Sequence, residues 1–321
     1  MKRIWIDIKF SEIAQEKWED KNMIEMLIWL ITAAGKEKQR KILERDNVFV
    51  KEDISKTELK SNLLELTDLV AESYDEYWEW FFATKIAREF ENELIKEILD
   101  ETDLNSLILD LWCANWKSTN FIASNWFKRV IGLDISAKMI EVAKQNKLDN
   151  CDFHECDLSD WIPYNNQSID LIISNFWAAS SVNEDIFREV NRVLKRGWKA
   201  FLSFYNKDAL VNQWWQPWQS SIEAVMNPND DIIEVPIIDE HSAKTFKLYA
   251  KALSIKNIDE ILSGTNLEIQ SINSHSLINA MMPPIFFEDE NRVKQILEYE
   301  KAHSVIKPHL WFYITLTLTK K

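Results

Sequence analysis

The first residues in this chain that could do chemistry are three aspartates, each closing an apolar run: Asp110 in Leu107-Ile-Leu-Asp-Leu111, Asp134 in Val130-Ile-Gly-Leu-Asp134 and Asp157 in Glu155-Cys-Asp157. A carboxylate at a strand end stands at the lip of a sheet, where it can take hydroxyls or amino groups of a bound molecule. Asp134 follows Asp110 by 24 residues. That is close to the separation a β-α-β unit sets between a ligand-cradling loop and the acid that takes both hydroxyls of a ribose. The cradle here is Leu111-Trp-Cys-Ala-Asn-Trp-Lys117, between the first run and a following helix. In a nucleotide-type site such a loop brings its backbone close to the ligand, and glycine leaves the room. Trp112 and Trp116 occupy those places.

Composition makes this a property of the whole chain. It holds 4 Gly and 15 Trp in 321 residues, whereas ordinary usage of about 7% Gly gives roughly 22. Trp126 stands where a helix in Ser124-Asn-Trp-Phe-Lys128 needs a left-handed end, and Trp177 follows a strand in Ser174-Asn-Phe-Trp177. Trp198 follows Gly197 in a helix-to-strand turn, whereas Trp214, Trp215 and Trp218, beside Gln216 and Pro217, read as true tryptophans. Two explanations are open. A bias of 29 Lys against 9 Arg, with 37 Ile, points to an AT-rich gene, in which UGA codons meaning glycine would be rendered as tryptophan. If the indoles are real, overpacking at about 1–3 kcal/mol per site comes to roughly 5–15 kcal/mol over five sites. That matches the whole stability of a typical domain, about 5–15 kcal/mol.

The bulk properties bound the setting. Hydrophobic content of 46% and charged content of 28% are those of a globular protein long enough for one large α/β domain and an appendage. A net charge of −14 argues against nucleic acid or an anionic membrane as partner. Cys113, Cys151 and Cys156 form no CxxC pair and suit a reducing cytoplasm, and no metal site is expected. Asp7 and Lys9 interrupt the apolar start, so no signal peptide is expected, and the apolar run 26–35 is too short to span a bilayer.

The elements that must hold the aspartates follow from periodicity. Residues 1–70 read as a helical N-terminal extension with a possible strand at 4–8, a basic stretch at 36–45 and a linker at 46–55. Apolar spacing then predicts a helix from Lys56 to about Tyr77 and another over 82–99, with Ile86, Phe90, Leu94, Ile95 and Ile98 on one stripe. From Asn105 strands at 107–111, 129–133, 151–155, 169–174 and 200–205 alternate with helices that include 136–146 and 183–194. That alternation predicts a doubly wound α/β domain on a parallel sheet over 71–321. A short helix at 258–262, a strand at 267–274, a helix at 291–302 and an alternating strand at 312–319 complete it. Residues 276–310, between the last two strands, read as a lid-like insertion.

Taken in order, these motifs resemble the class I S-adenosylmethionine-dependent methyltransferases, over roughly 74–321. Leu109-Asp-Leu-Trp-Cys-Ala-Asn-Trp-Lys-Ser-Thr119 is similar to the family loop Asp-x-Gly-x-Gly-x-Gly, with Trp112, Ala114 and Trp116 at the glycine positions. The resemblance implies a Rossmann-like, seven-stranded, mostly parallel sheet with an antiparallel last strand, and S-adenosyl-L-methionine as cofactor. It implies that Asp110, Leu111, Trp112, Cys113, Ala114, Asn115 and Trp116 surround the methionine end, with Asp110 helping to hold the ammonium group. Asp134 would take the ribose hydroxyls, Ile135 and Met139 would flank adenine, and Asp157, between Cys156 and Leu158, would take the adenine amino group. Ser174 and Asn175 would edge the site after the fourth strand. The reaction implied is a single displacement, in which the protein aligns donor and acceptor and excludes water.

The acceptor is less legible. Ser174-Asn-Phe-Trp177 is not Asn-Pro-Pro-Tyr, which disfavours the family's adenine and glutamine amide methylators. Tyr74, Tyr77, Trp214 and Trp215 are candidate acceptor contacts, the last two as an aromatic wall for a planar or cationic group or as a packed loop. Met281-Met-Pro-Pro-Ile-Phe-Phe287 reads as pocket lining or as core. His241, His275, His303 and His309 are available as bases, each with a plain packing or surface alternative, and no catalytic base is assigned. The expectation is a small-molecule methyltransferase, with two alternatives. One is a tRNA or protein methyltransferase docking through residues 1–70; the other is a non-catalytic binding module if Trp112 and Trp116 are genuine.

Overall fold

Apolar runs carry a backbone donor and acceptor per residue into the interior, and only a shared ladder satisfies them. In the computed structural model this ladder is mostly parallel. The structure describes residues 54–75, 82–159, 161–181, 186–209, 225–227, 232–238, 243–276, 290–304 and 311–321. Two helices, α1 (Lys56–Val70) and α2 (Phe82–Asp100), precede the alternation β1 (Leu107–Leu111), α3 (Lys117–Ala123), β2 (Arg129–Asp134), α4 (Ala137–Gln145), β3 (Cys151–Glu155), β4 (Ile169–Ser174), α5 (Ile186–Val193) and β5 (Leu194–Tyr205). A separate antiparallel sheet follows, made of β6 (Val225–Asn227), β7 (Ile232–Ile238) and β8 (Ala243–Tyr249). Then come α6 (Ile258–Leu262), β9 (Leu267–His275), α7 (Glu290–His303) and β10 (Tyr313–Lys320).

The main sheet has seven strands in the order β3-β2-β1-β4-β5-β10-β9, and β10 runs antiparallel to both its neighbours. This is the doubly wound sheet with an antiparallel last strand that the sequence predicts. Successive side chains on a strand point to opposite faces, and the two cores divide accordingly. Leu109, Ile131 and Ile172 pack on one face with Phe187 and Val190 of α5. Ile108, Val130, Leu171 and Ile173 pack on the other with Ile95 of α2, Ile122 of α3 and Ile140 of α4. Every residue of β4 is buried, as a central parallel strand covered by helices on both faces must be.

Differences from expectation are local. The fifth strand starts at Leu194, not Ala200, because α5 runs straight into it, and Gly197 takes the left-handed step within it at φ 80°. The first described helix ends at Val70 rather than near Tyr77. The sheet β6–β8 was not anticipated. Residues 1–53, Tyr77, Trp214, Trp215, 281–287, His241 and His309 lie outside the described residues.

Helix α1, assigned by sequence to the N-terminal extension, is joined to the sheet. Ser55 caps it by accepting from Glu58 N–H at 3.2 Å. Leu66 and Val70 pack in one cluster with Met139 of α4 and with Ile233 and Phe246 of the small sheet. Asn62 Nδ2 donates to Lys247 O at 3.0 Å and Ser136 Oγ to Asp68 Oδ1 at 2.9 Å. Leu66 is 3% exposed, so Leu66→Ala is expected to cost about 2–5 kcal/mol, read by urea unfolding with an unchanged m-value. A cost below about 0.5 kcal/mol, the surface value, would place α1 outside the cooperative unit.

Candidate functional site

Neighbouring β1 and β4 send their following helices in opposite directions along the sheet, which opens a crevice at their C-terminal ends. Both strands leave the sheet through left-handed backbone. After β1, Trp112 has φ 55° and Ala114 φ 50°; after β4, Phe176 has φ 51° and Trp177 φ 52°. The first loop is then pinned by β2. Cys113 N–H donates to Leu133 O at 3.0 Å and Ala114 N–H to Asp134 Oδ2 at 2.9 Å. Asn115 Nδ2 donates to Asp75 Oδ2 at 2.6 Å. Trp116 sits at the N-cap of α3 with φ −90°, so its backbone makes no demand for glycine, contrary to expectation. Trp198 is likewise inside β5, where Gly197 already supplies the turn.

The aspartates end up in three different environments. Asp110 is fully buried; its Oδ2 accepts from Thr119 Oγ1 at 2.7 Å, and its Oδ1 has no partner. Burial lifts its carboxyl to about 7, against the pull of the Thr119 hydroxyl. Asp134 is buried too, and burial raises it to about 6, although it accepts from Ser136 and Ala114 N–H. The Ile135 N–H helps hold it down as well. Asp157 is more open and held below the usual carboxylate range. Lys60 of α1 reaches it, and Ser159 donates from N at 3.0 Å and from Oγ at 2.6 Å. Sequence reasoning did not foresee Lys60 at this carboxylate.

Two cavities lie along the crevice. One of about 430 Å³ is lined by Trp112, Ile135, Asp157 and Ser159, with Leu59 and Lys60 of α1 on its other side. The other, about 60 Å³, is lined by Tyr74, Asp75, Arg88, Asn115, Asn175 and Phe176 among others, and again by Trp112. Trp112 is the residue the two cavities have in common. Of the remaining expected contacts, Met139 and Leu158 are core residues and Cys156 donates its N–H to Asp134 O at 2.7 Å. Cys113 is buried beneath the loop, and Ser174 is buried with an unpartnered hydroxyl. Asn175 Nδ2 donates to Ser118 Oγ at 2.9 Å, and burial pushes the Tyr74 hydroxyl up to about 12.

A second network, with no signal in any local pattern, holds the loop after β4. Glu91 on α2 is wholly buried. Its carboxylate accepts from Phe176 N–H at 2.6 Å and from Ser203 Oγ at 2.6 Å, and lies 2.9 Å from His275 Nε2. Ser203 Oγ in turn accepts from Trp177 N–H at 3.0 Å. His275, a candidate base by sequence, is thus a buried partner of Glu91, stacked on Phe90. His303 stacks on Tyr299 in α7. Beside the loop, the Arg88 guanidinium lies 5.0 Å above the Phe176 ring and 3.4 Å from Asp75 Oδ1, with Nε buried and unpartnered.

With this geometry in place, resemblance to known proteins is decisive about family. The profile of a family described as "Methyltransferase domain" matches residues 103–301, well over half of the chain. The chain belongs to this methyltransferase family. An uncharacterized methyltransferase-like protein of Schizosaccharomyces pombe is 28% identical over 129 residues, which is 40% of this chain; the match spans 46% of that relative's length. A complex of DhpI with SAM and HEP superposes with a TM-score of 0.53 at 17% identity, over 83% of this chain and 99% of that one. The DhpI–SAH complex gives 0.52 at 16% identity over 83% and 98%. At such identities the likeness is one of fold.

The crevice bears on how an S-adenosyl group would be held. The polar residues fit in part. Asp110 Oδ1 is an orphaned acceptor suited to an ammonium, and Ile135 and Asp157 share the larger cavity, whereas Asp110 and Asp134 line neither cavity. One residue bears on the fit by its size: Trp112 is common to both cavities, so a molecule reaching from Asp157 to Asn115 would have to pass it.

Two outcomes test this description. Glu91→Ala strands the Phe176 N–H and the Ser203 hydroxyl, so urea unfolding should show a loss of about 2–6 kcal/mol, at 1–3 per group; a loss below about 1 kcal/mol would contradict the network. The second concerns pH. Asp110 is raised from 3.8 to about 7, so the unfolded chain gives up this proton first as pH rises. Its contribution to stability is full below about pH 4 and is lost as pH climbs to about 7. Asp110→Asn should flatten that decline relative to the parent chain, and an unchanged slope would count against the raised carboxyl.

Proposed function

We propose that this methyltransferase uses S-adenosyl-L-methionine to methylate a small-molecule acceptor. The observation that carries the reading is the larger cavity, which gathers the loops after three consecutive strands: Trp112 after β1, Ile135 after β2 and Asp157 after β3. A cofactor lying along these strand ends would meet Asp110 at its ammonium group, Asp134 at its ribose and Ile135 and Asp157 at its base. Those are binding and orienting tasks.

The acceptor would enter beside Tyr74 and Phe176, in the smaller cavity. At about 60 Å³ it has room for roughly four waters, which supports a compact acceptor. Net charge of −14 weighs against tRNA. Lys56 and Lys60 do line the groove, but Lys60 faces Asp157, so the basic edge that would favour a macromolecule is partly neutralised. Three free cysteines suit a reducing cytoplasm as the place of action. No helix among the described residues is long and apolar enough to cross a membrane.

The test uses the Trp112→Gly chain, methyl-labelled S-adenosylmethionine and a fractionated cell extract. Label is expected in the low-molecular-mass fraction. Label confined to tRNA or protein would overturn the small-molecule reading, and no label with any fraction would favour a non-catalytic module. In the same background Asp134→Ala is expected to weaken S-adenosylhomocysteine binding by about 1–3 kcal/mol, the effect of orphaned hydrogen bonds, by calorimetry.

A further inference from the structure

Of the seven tryptophans among the described residues, at 112, 116, 126, 161, 177, 198 and 311, three hold left-handed backbone: Trp112 at φ 55°, Trp126 at 70° and Trp177 at 52°. Only a few per cent of non-glycine residues do so, and a bulky one is a genuine outlier. Two of the three described glycines behave in the same way, Gly197 at φ 80° and Gly264 at 97°, while Gly132 lies within β2. Left-handed backbone is what glycine supplies without steric penalty. In an ordinary chain, a tryptophan held there is kept by contacts that over-determine it.

The three differ in whether such contacts exist. Trp177 stacks on Tyr313, with ring centroids 4.5 Å apart and planes 13° from parallel. Its indole has a packing reason, so it stays outside the inference. Trp126 has none: it follows the C-cap of α3, donates its N–H to Ala123 O at 3.1 Å, and is 84% exposed. That is a helix end of the kind glycine ordinarily closes. Trp112 is partly buried against the core, but it is also the residue common to both strand-end cavities, where its bulk bears on whether they join. The scarcity of glycine, 4 in 321 residues, runs in the same direction.

We infer that positions 112 and 126 are glycine in the protein as its own cell makes it, both encoded by UGA read as glycine, and that the two cavities are one continuous groove there. The backbone argument at 126 stands without any ligand. The groove argument at 112 rests on the methyltransferase reading above.

Peptide sequencing by mass spectrometry on the protein isolated from its source tests the inference directly. Glycine at both positions is expected, and tryptophan at either overturns it. Calorimetry with S-adenosylhomocysteine compares the chain bearing tryptophan at 112 with Trp112→Gly. The glycine form is expected to bind at least about a hundred-fold more tightly, and equal affinity overturns the claim that the indole blocks the groove. Trp126→Gly, remote from the groove, is expected to raise the urea midpoint and leave that affinity unchanged; a lowered midpoint counts against glycine at 126. Should the natural peptide carry glycine while a folded Trp112→Gly chain binds nothing, the inference about sequence stands and the methyltransferase reading fails.

Discussion

The chain leaves β1 in the middle of a seven-stranded sheet, with β2 on one side and β4 on the other. It cannot spread sideways, so it must turn off the sheet within a few residues. It does so through two left-handed positions, 112 and 114, while β2 keeps hold of it. The ladder is extended by Cys113 to Leu133, and Asp134 receives the Ala114 N–H. Because the strand next door supplies the anchor, the position of the loop and that of Asp134 are a single fact. Gly132, in the same strand, has to stay small, since a Cβ there would meet Cys113 Sγ at 2.8 Å and Phe153 at 2.7 Å. The crevice is set by this packing, and Ile135 and Asp157 reach it because their strands end at the same level.

Much of this was written in local patterns. Parallel strands buried on both faces give short apolar runs, and the acids that close them mark the strand ends, so the sheet and the line of aspartates could be read directly. What escaped has equally physical reasons. β7 contains Pro236, which reads against a strand, so the small sheet was missed. Glu91 lies on a helix with Glu89 and Glu93 on its exposed side, and looks like one more solvated acid. Its partners are 85, 112 and 184 residues away, beyond any local pattern. Asp157 reads as a free acceptor because Lys60, which reaches it, sits 97 residues earlier.

The tryptophans divide along the same line. Local chemistry placed Trp112, Trp126 and Trp177 at positions needing left-handed backbone, and they have it. It also marked Trp116 and Trp198, where a helix N-cap in ordinary conformation and a strand next to Gly197 accept any residue. Pattern alone could not separate a residue that makes the turn from one that stands beside it.

The Glu91 carboxylate joins α2, the loop after β4, β5 and β9 at one point. That bears on biosynthesis. On the ribosome, β1 to β5 can pair as they emerge, but the His275 side of the joint is not yet made. The buried carboxylate waits for the C-terminal hairpin, and so does the final setting of the loop it holds. A prematurely terminated product ending before β9 would carry all the strand-end acids and still have an unfinished crevice. The last part of the chain to be synthesised completes a site whose residues lie almost entirely in the first two thirds.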